Sequence, residues 1–280
     1  MNNSIIVLGG EGFVGKNIIK SLIRQGFQDV TSGSLSPPSS KTIKRAQVDI
    51  LDFDNLKNVC KPFDTIINCT GQITKTINNC FLLNSRGITN IAKLCKNNNK
   101  KIIQISSVAV YGTSKFVDEN SELNPETPYA TCKCYSEYIL NNLVPNNNKI
   151  ILRASNLYGI GTKGIFGYLY SSYYSDRKLQ FNNDGSLSRY YLHVEDFSEN
   201  IVQIIKKNLF GTFNIVGQEK YSIKELVSLL ESSVNKSFNI KYEQAAPLEN
   251  IDYISDEKIR KIIKIKNNRK VEDFFIKYFK

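Results

Sequence analysis

The sequence predicts an α/β protein built on a doubly wound parallel sheet, and two observations carry that prediction. Through the first half of the chain, short apolar runs alternate with segments that place apolar residues at helical spacing. Strict alternation of this kind predicts parallel strands joined by helices on both faces of the sheet. The first apolar run also passes directly into a glycine turn that opens the first helical segment, which is typical of the Rossmann arrangement. A chain of 280 residues, 41% of them hydrophobic, is long enough for a large buried core.

The first three strands and two helices are predicted between residues 4 and 61. SIIVLGG is a strand that ends in glycines. Apolar residues at helical spacing predict a helix from Phe13 that closes at Gly26, since glycine is common just past a helix end. The remaining elements of this part are the strands FQDVTSG and AQVDILD and the helix FDNLKNVCK.

Three further strands and two helices complete the predicted sheet. Pro128 favours a helix start, because its fixed φ suits the first helical turn and its missing N–H costs nothing there. The helix that it opens extends to Val144. The other elements are the strands FDTIINCTG, KIIQISS and NKIILRASNLYG and the long helix FLLNSRGITNIAKLCKNNNK.

The pattern changes after Gly159, where glycine, asparagine and aromatic residues become frequent. Ser222 is predicted to cap a helix, and Glu225 three residues later would complete a capping box. The basic C-terminal stretch from Asp256 is predicted as an amphipathic helix with a solvated basic face. The other elements predicted here are the helix VEDFSENIVQIIKKN, the strand GTFNIVG and the helix SIKELVSLLESSV.

Charge and cysteine content narrow the class of protein. The formal net charge of +11 permits a nucleic acid, a membrane surface or a small anion as partner, but a chain-wide bias toward Asn, Lys and Ile explains it without one. No stretch approaches the roughly 18 uncharged apolar residues of a membrane helix, and the start lacks the basic region of a signal peptide. We therefore expect a soluble cytoplasmic protein with no membrane insertion. The six cysteines are irregularly spaced and are expected to be reduced, mostly buried thiols.

The glycine turn predicts a dinucleotide site. Gly9, Gly12 and Gly15 recur at every third position between the first strand and the first helix. Glycines there allow a tight turn, a close approach of the backbone to a pyrophosphate, and close packing of helix on strand. The helix N-terminus adds unpaired N–H groups and partial positive charge. An isolated glycine triplet is usually only a loop, but this position in a βαβ series indicates dinucleotide binding.

The end of the second strand bears on the choice between NAD and NADP. NAD sites usually carry Asp or Glu there, to bind the ribose 2′-hydroxyl. Asp29 lies too early in the strand, and small residues occupy the expected place. Because they leave room for a 2′-phosphate, the sequence favours NADP over NAD. The small residues are Thr31, Ser32, Gly33 and Ser34, and the basic residues within reach of a phosphate are Lys41, Lys44 and Arg45.

One short stretch, PYATCKCYSE, offers two chemistries. Tyr129 and Lys133 lie one turn apart on one helix face, and an ammonium beside a phenol stabilises the phenolate, which makes the tyrosine a general acid and base. Cys132 and Cys134 project about 200° apart and cannot easily share a metal ion. Ser107 follows the fifth strand, at the carboxyl edge where ligands bind in such sheets. It could bond the substrate oxygen, or it could simply cap a turn.

Further stretches make a family resemblance specific. From Ile5 to about Leu230, the chain resembles the extended branch of the short-chain dehydrogenase/reductase superfamily, whose members modify nucleotide sugars. GGEGFVG resembles the GxxGxxG turn of this branch, and SSVAVYG followed by PYATCK resembles its SS…VYG and PYxxSK signatures. The other matching stretches are VDI, LLNSRGITNI, LRASNLYGIG, NNDGSLSRYYLHVEDF and GTFNIVG.

The resemblance implies roles for particular residues. Ser107, Tyr129 and Lys133 would form a catalytic triad, in which Tyr129 moves the proton, Lys133 holds the nicotinamide ribose and Ser107 orients the sugar oxygen. Asp49 would accept from the adenine amino group, and Asp196 would cap a helix. The implied substrate-binding residues are Ser107, Val108, Asn156 and Arg189, of which Asn156 and Arg189 would hold the diphosphate. The implied cofactor-binding residues are Gly9, Gly12, Phe13, Val14, Gly15, Ser32, Ser34, Asp49, Ile50, Thr70, Asn84, Tyr129 and Lys133.

The resemblance also implies the domain organisation and the partners. Residues 1–158 would form an NAD(P)-binding Rossmann domain, with contributions from about 190–216, and residues 159–280 would form mainly a substrate-binding lobe. The substrate would be a nucleotide-diphosphate sugar, and no nucleic acid is expected. Members of the family often form a homodimer through a four-helix interface that includes the Tyr129 helix.

Departures from the family pattern narrow the expected activity. The 4,6-dehydratases carry Thr-Asp-Glu where this chain has Ser107, Val108 and Ala109, so a dehydratase is not expected. The non-acidic second strand and the short substrate lobe favour an NADPH-dependent reductase of 4-keto-sugar nucleotides, with a 4-epimerase that retains NAD as the alternative. A non-catalytic nucleotide-sensing or RNA-binding module is a more remote alternative, which the intact triad disfavours. One histidine and no CxxC pair leave too few ligands for a zinc enzyme.

Overall fold

The structure, a computed structural model, describes residues 4–36, 43–71, 76–175, 177–244 and 248–279. Its strands follow the chain from a short buried β1 to a β14 near the C-terminus. They are β1 Ile5–Leu8, β2 Val30–Ser34, β3 Lys44–Gln47, β4 Thr65–Asn68, β5 Lys101–Ser107, β6 Ser114–Val117, β7 Lys149–Ala154, β8 Asn156–Tyr158, β9 Leu179–Phe181, β10 Ser188–His193, β11 Gly211–Ile215, β12 Glu219–Ser222, β13 Ile240–Tyr242 and β14 Ile251–Ile254.

The helices alternate with the strands through the first half of the chain. None of those in the described ranges is long and apolar enough to cross a membrane. They are α1 Phe13–Arg24, α2 Phe53–Cys60, α3 Ile77–Leu82, α4 Ile88–Asn98, α5 Pro128–Leu143, α6 Gly164–Ser175, α7 Val194–Lys206, α8 Ile223–Val234, α9 Glu257–Arg260 and α10 Val271–Tyr278.

The central sheet is parallel and doubly wound, as the sequence predicts. Its strand order is β11-β7-β5-β4-β1-β2-β3, and every neighbouring pair runs parallel. The chain moves one way from β1 to β3 and the other way from β4 onward. The sheet therefore has its topological switch point between β1 and β4, where the carboxyl ends of parallel strands leave a crevice for a ligand.

Strand β1 shows why this sheet must be covered on both faces. Ile5 and Val7 belong to the apolar cluster shared with α1 and α7, whereas Ile6 and Leu8 belong to the cluster shared with α2, α4 and α5. All four side chains are fully buried. Alternate residues of a strand point to opposite faces, so a run of four apolar residues requires helices on both sides.

The C-terminal lobe is formed by small sheets around an aromatic core. Strand β10 pairs with β8 and β12, while β9 pairs with β13 and β6 with β14. Tyr158, Phe166 and Phe274 stack or meet edge to face at centroid separations of 4.8–5.8 Å. Aromatic pairs at such separations stabilise beyond the area that they bury, so this cluster holds α6 and α10 together.

Three predicted elements differ from the structure. The sixth strand is divided at Ser155: β7 ends in the central sheet, and β8 leaves it to pair with β10. The third strand lies earlier than predicted, because Val48–Ile50 turn away toward α2, which Asp52 caps. The long helix that was predicted between the fourth and fifth strands contains a π-helical turn over Leu83–Gly87. It brings Gly87 so close to Ile50 that an added Cβ would lie 2.5 Å from the Ile50 side chain.

The prediction of one amphipathic helix at the C-terminus is wrong. The structure has the short α9, then a non-helical segment, and then α10. The segment between them is held to α7, where Asn200 bonds the backbone N–H and carbonyl of Lys266. The predicted exposure of the basic residues to solvent does not hold for Arg269, which pairs with Glu195, Asp196 and Glu199.

Two helix caps were predicted, and one of them is confirmed. Ser222 and Glu225 form the capping box of α8, with reciprocal side-chain bonds to backbone N–H groups. The prediction that Asp196 caps α7 is wrong, because the N-cap is His193, whose Nδ1 accepts from the Glu195 N–H at 3.2 Å. Asp196 is fully buried and accepts instead from the backbone N–H groups of Asn268 and Arg269.

Candidate active site

The glycine turn lies at the switch point of the sheet. Gly9 has φ +75°, which favours glycine, and a Cβ there would lie 3.2–3.3 Å from Cys69 and Thr70 at the end of β4. A Cβ on Gly15 would lie 2.4 Å from the Gly9 carbonyl oxygen. The helix therefore packs on the turn as closely as the sequence predicts. Gly12 is the N-cap of α1.

The start of α1 fits a dinucleotide pyrophosphate. In the described structure no side chain caps α1, and no acidic residue lies in its first turn. The first N–H groups of a helix have no intrahelical partner, and together with the helix dipole they favour an anion. Phe13 and Val14 are half-buried at this turn, so their backbone groups lie at the edge of the crevice.

A carboxylate that the sequence did not predict lies beside β2. Ser32 donates from Oγ to Glu11 Oε1 at 2.8 Å, and Arg45 Nη2 lies 3.2 Å from Glu11 Oε2. Because the acid was sought on the strand itself, Glu11 inside the glycine turn was passed over. Lys44 pairs with Asp29 at 2.8 Å, and Lys41 lies outside the described residues. The other predicted residue, Ser34, donates to the Ser36 carbonyl at 3.1 Å.

Of the predicted cofactor-binding residues Asp49 and Ile50, Asp49 lines a cleft beside α2. Asp49 lies in this cleft together with Phe53 and Arg86, and its carboxylate accepts from the Leu51 N–H at 2.8 Å. Ile50 is buried, and its carbonyl accepts from the Asn90 amide at 2.9 Å. The backbone around Asp49 is thus held in place, while the cleft leaves room for a planar ring.

Thr70 and Asn84 stabilise the end of β4. Thr70 bonds Asn68 Oδ1 through both its N–H and its hydroxyl. Asn84 is buried, and its amide donates to the carbonyls of Gly71 and Cys80 at 2.9 Å. The Asn84 side chain therefore acts on the loop after β4, and a direct contact to a cofactor stays a prediction.

Tyr129 and Lys133 share one face of α5, beside the ends of β4 and β5. The Lys133 Nζ lies 5.8 Å from the centroid of the Tyr129 ring. It donates to the Ile105 carbonyl at 3.0 Å and lies 3.5 Å from the Thr70 carbonyl. Lys133 is fully buried, and this burial lowers the pKa of its ammonium to about 8. Tyr129 is half-buried.

Ser107 is the last residue of β5, and Val108 follows it at the same edge. Ser107 Oγ accepts from the Ala109 N–H at 3.2 Å and caps the 3₁₀ turn Val108–Tyr111. Its hydroxyl proton can still be donated, because a serine hydroxyl both donates and accepts. The capping alternative is therefore observed, and it is compatible with a role toward substrate.

A network of buried polar side chains joins α5 to β5 and β7. Glu137 accepts from Arg153 Nε and Nη2 and from the Ser106 hydroxyl, and Arg153 Nη1 donates to the Tyr111 hydroxyl at 2.8 Å. Burial lowers the pKa of Arg153, but the bonds and charge of Glu137 outweigh it, so the pKa is raised. The sequence analysis missed this network, although charged residues at buried positions of a predicted strand and helix would have indicated it.

Asn156 and Arg189 line one cleft with Val108. Glu249 and Ile251 line the same cleft. Arg189 donates to the Glu249 carbonyl at 2.7 Å and lies 3.7 Å from the Glu249 carboxylate. The structure thus brings both predicted diphosphate residues to one place, with an acidic partner beside Arg189 that the sequence did not reveal.

Cys132 and Cys134 have different neighbours. Cys132 is buried beside Cys80, whereas Cys134 lies 3.7 Å from the Val110 carbonyl. Burial raises the pKa of the Cys132 thiol to about 11 and that of Cys134 to about 12. Within the described residues no group of three or more His, Cys, Asp or Glu could hold a metal ion.

Comparison with known proteins agrees with this geometry. A sequence model of the NAD-dependent epimerase/dehydratase family matches residues 5–216. The chain belongs to this family. The match runs from β1 through the end of β11, so it includes the glycine turn, the Tyr129 helix and the Arg189 strand. The chain is therefore an enzyme of the extended short-chain dehydrogenase/reductase superfamily, with a Rossmann sheet.

Similar curated proteins are mostly sugar 4-epimerases. The UDP-glucose 4-epimerase of Bacillus subtilis is 25% identical, with 87% of this chain and 86% of that protein covered. The UDP-glucose 4-epimerase of Dictyostelium discoideum is 26% identical, with 84% and 83% covered. Among solved structures, UDP-glucuronic acid 4-epimerase from Bacillus cereus, in complex with UDP-glucuronic acid and NAD, has a TM-score of 0.86. It is 22% identical, with 99% of this chain and 98% of that chain covered, and it shows the shared fold.

Proposed function

We propose that this protein is an NAD-dependent nucleotide-sugar 4-epimerase, most consistent with a UDP-sugar substrate. The single observation that carries the proposal is that Lys133 Nζ lies 5.8 Å from the Tyr129 ring and donates to the Ile105 carbonyl of β5, the strand that ends at Ser107. The curated relatives named above are 4-epimerases, and the solved structure binds NAD. The sequence alone favours a reductase, whereas these relatives favour a 4-epimerase of the same family.

Each residue of the triad has one task in this reaction. Ser107 donates to the C4 oxygen of the sugar and orients it. Tyr129 takes the C4 hydroxyl proton and later returns it. The buried charge of Lys133 favours the phenolate form of Tyr129. The chemistry that NAD supplies when bound is reversible removal of hydride from C4, so the keto-sugar can turn over and be reduced on its other face.

The neighbouring residues disfavour water elimination. Val108 is buried and Ala109 carries no functional group, so neither can protonate a leaving hydroxyl or abstract a carbon-bound proton. In the described structure Glu249 is the carboxylate that lines the same cleft, and it pairs with Arg189. The proposal therefore keeps epimerisation and sets dehydration aside.

The first experiment is an epimerisation assay without added cofactor. Purified protein is incubated with a UDP-hexose, and the C4 epimer is followed by ¹H NMR. We expect turnover in the wild type and a loss of about a hundredfold or more in Tyr129→Phe, since general acid–base catalysis contributes roughly 10²–10⁴-fold. Tyr135→Phe is the matched control, because Tyr135 lies on the same helix with its ring 46% exposed.

A second assay separates the epimerase from the reductase. The same preparations are given a 4-keto-sugar nucleotide and NADPH, and absorbance at the NADPH band is recorded. Consumption of NADPH by the wild type, with no interconversion of C4 epimers in the first assay, would contradict the epimerase proposal. An unchanged rate in Tyr129→Phe would contradict the role of the tyrosine.

We also propose that the chain forms a homodimer. Helices α3 and α5 present an apolar surface, the α3–α5 face, in which Phe81 and Tyr135 stack at 6.5 Å and Tyr138 continues the stack at 6.5 Å. Contiguous exposed apolar side chains of this kind mark interaction sites. The face consists of Ile77, Phe81, Leu82, Tyr135 and Tyr138, which are 41–64% exposed.

A further inference from the structure

We propose that Glu11 is the carboxylate that binds the adenosine ribose and selects NAD over NADP. This inference deepens the proposed function and rests on it for the use of a nicotinamide dinucleotide. Rossmann sites that prefer NAD usually carry the acid at the end of the second strand. Here β2 ends at Ser34, and the acid comes from the glycine turn, where Glu11 is bonded to Ser32, two residues before that end.

Two bonds fix the Glu11 carboxylate beside Ser32, two residues before the carboxyl end of β2. Ser32 is 1% exposed, and its Oγ donates to Glu11 Oε1 at 2.8 Å. A Cβ on Gly10 would lie 2.4 Å from the same Ser32 Oγ, so the turn and the strand are in direct contact here. A buried hydroxyl that donates to one carboxylate oxygen fixes the direction of the side chain.

The carboxylate still has room for a ligand. Arg45 Nη2 lies 3.2 Å from Glu11 Oε2, and the side chains of Arg45 and Glu11 are 17% and 29% exposed. An ionised carboxylate offers about four acceptor sites. Ser32 and Arg45 occupy part of them, so Glu11 can accept from a ribose hydroxyl at the crevice edge.

The same arrangement opposes a 2′-phosphate. A phosphate at this position would meet the negative charge of Glu11, and like charges at close range are unfavourable. Of the basic residues considered for a 2′-phosphate, Arg45 is paired with Glu11, whereas Lys44 is the first residue of β3, at the end of the strand away from the crevice. The small residues of β2, which by themselves favour NADP, are therefore outweighed by a carboxylate from another element.

The test measures dinucleotide affinity in the absence of sugar. Cofactor-free protein is titrated with NAD and with NADP by isothermal titration calorimetry. We expect the wild type to bind NAD more tightly. Glu11→Gln should lower the preference for NAD by about tenfold or more, because a charged hydrogen bond and a repulsion are both removed. Glu11→Gln should also bind NADP more tightly than the wild type does, since Arg45 that no longer pairs with Glu11 can pair with the 2′-phosphate. The double variant Glu11→Gln/Arg45→Ala should not show this increase in NADP affinity.

Asp29→Asn is the matched control. It removes one carboxylate beside β2 and breaks an exposed ion pair with Lys44, but it lies at the opposite end of the strand from the crevice. Its ratio of NAD to NADP affinity should equal that of the wild type. Thermal unfolding without cofactor establishes that all variants fold.

Three results would overturn the inference. One is tighter binding of NADP than of NAD by the wild type. Another is a Glu11→Gln variant that weakens both dinucleotides equally, which would make the Glu11 contacts purely structural. The third is a change in Asp29→Asn equal to that in Glu11→Gln. A changed ratio of NAD to NADP affinity in Glu11→Gln, with no epimerisation by the wild type, would contradict the proposed function but not the role of Glu11. Binding of neither dinucleotide by the wild type would contradict both.

Discussion

Glu137 and Arg153 form an ion pair behind α5 in which both side chains are almost fully buried, at 1% and 6% exposure. Removal of one partner leaves the other charge buried and uncompensated, which typically costs about 3–5 kcal/mol. We therefore expect Glu137→Gln to lower the free energy of unfolding by about that amount. Urea denaturation followed by circular dichroism measures the change.

A double variant tests whether this cost comes from the orphaned charge. Glu137→Gln/Arg153→Met removes both charges, so it should recover part of the stability lost in the single variant. A single variant within about 1 kcal/mol of the wild type would show that solvent reaches the pair, contrary to its burial here.

His193 makes the cap of α7 sensitive to pH. The pKa of His193 is lowered from its ordinary value of 6.5, first by burial and next by the charge of Arg269. The unfolded state thus binds a proton at a higher pH than the folded state does. The stability that the neutral ring contributes is complete above the unfolded pKa, near 6.5, and is lost as the pH falls below it.

Substitution by a residue that caps without titrating tests this pH dependence. In His193→Asn the amide oxygen can accept from the Glu195 N–H. Urea unfolding between roughly pH 7 and pH 5 should show a steeper loss of stability in the wild type than in the variant. Parallel slopes for the two proteins would contradict the assignment.

At the scale of elements, α3 and α5 carry the prediction of a dimer. Phe81→Lys/Tyr138→Lys places two charges in the α3–α5 face, where Phe81 is 54% and Tyr138 is 64% exposed. Desolvation of these charges opposes association, so sedimentation velocity should show a dimer for the wild type and a monomer for the variant. Tyr253→Lys, at a 49% exposed position on β14, should remain dimeric. A wild type that sediments as a monomer at micromolar concentration contradicts the proposal.

Elements with strong local signals were predictable one by one. Helix α5 begins at Pro128 and α8 begins after the Ser222 cap, as predicted, because these signals act within a single turn. The division of the sixth strand at Ser155 was not predictable. It depends on β8 finding β10, a partner that lies far along the chain and leaves no local mark.

At the scale of the whole molecule, Asp196 ties the C-terminal segment to α7. Its buried carboxylate accepts from the Asn268 and Arg269 N–H groups at 2.9 Å. We expect Asp196→Ala to cost about 3 kcal/mol in the free energy of unfolding, since it leaves two backbone donors without their partner. Glu199→Ala, which removes only a partly exposed ion pair with Arg269, should cost less than about 1 kcal/mol. Equal effects in chemical denaturation would show that the charge of Arg269, not the backbone contact, matters.

The layers of this protein and the positions of its candidate catalytic residues could be predicted from the sequence. Alternating apolar runs require a covered parallel sheet, as Ile5 and Ile6 show by packing on opposite faces. The end of each strand then places a residue at the carboxyl edge, so the glycine turn and Ser107 could be assigned to that edge from their positions alone. Tyr129 and Lys133 needed only the helical period to share a face.

The contacts between residues that are distant in the sequence could not be predicted and are seen only in the folded protein. The Glu11 carboxylate lies beside β2 because Ser32 and Arg45 bind it, and Arg189 meets Glu249 across the cleft. Likewise, the C-terminal segment stays non-helical because Asp196 and Asn200 bind its backbone. The physical reason is common to all three cases. Periodicity reports which face of an element is buried, whereas hydrogen bonds and ion pairs between elements depend on distances that exist only after the elements have packed.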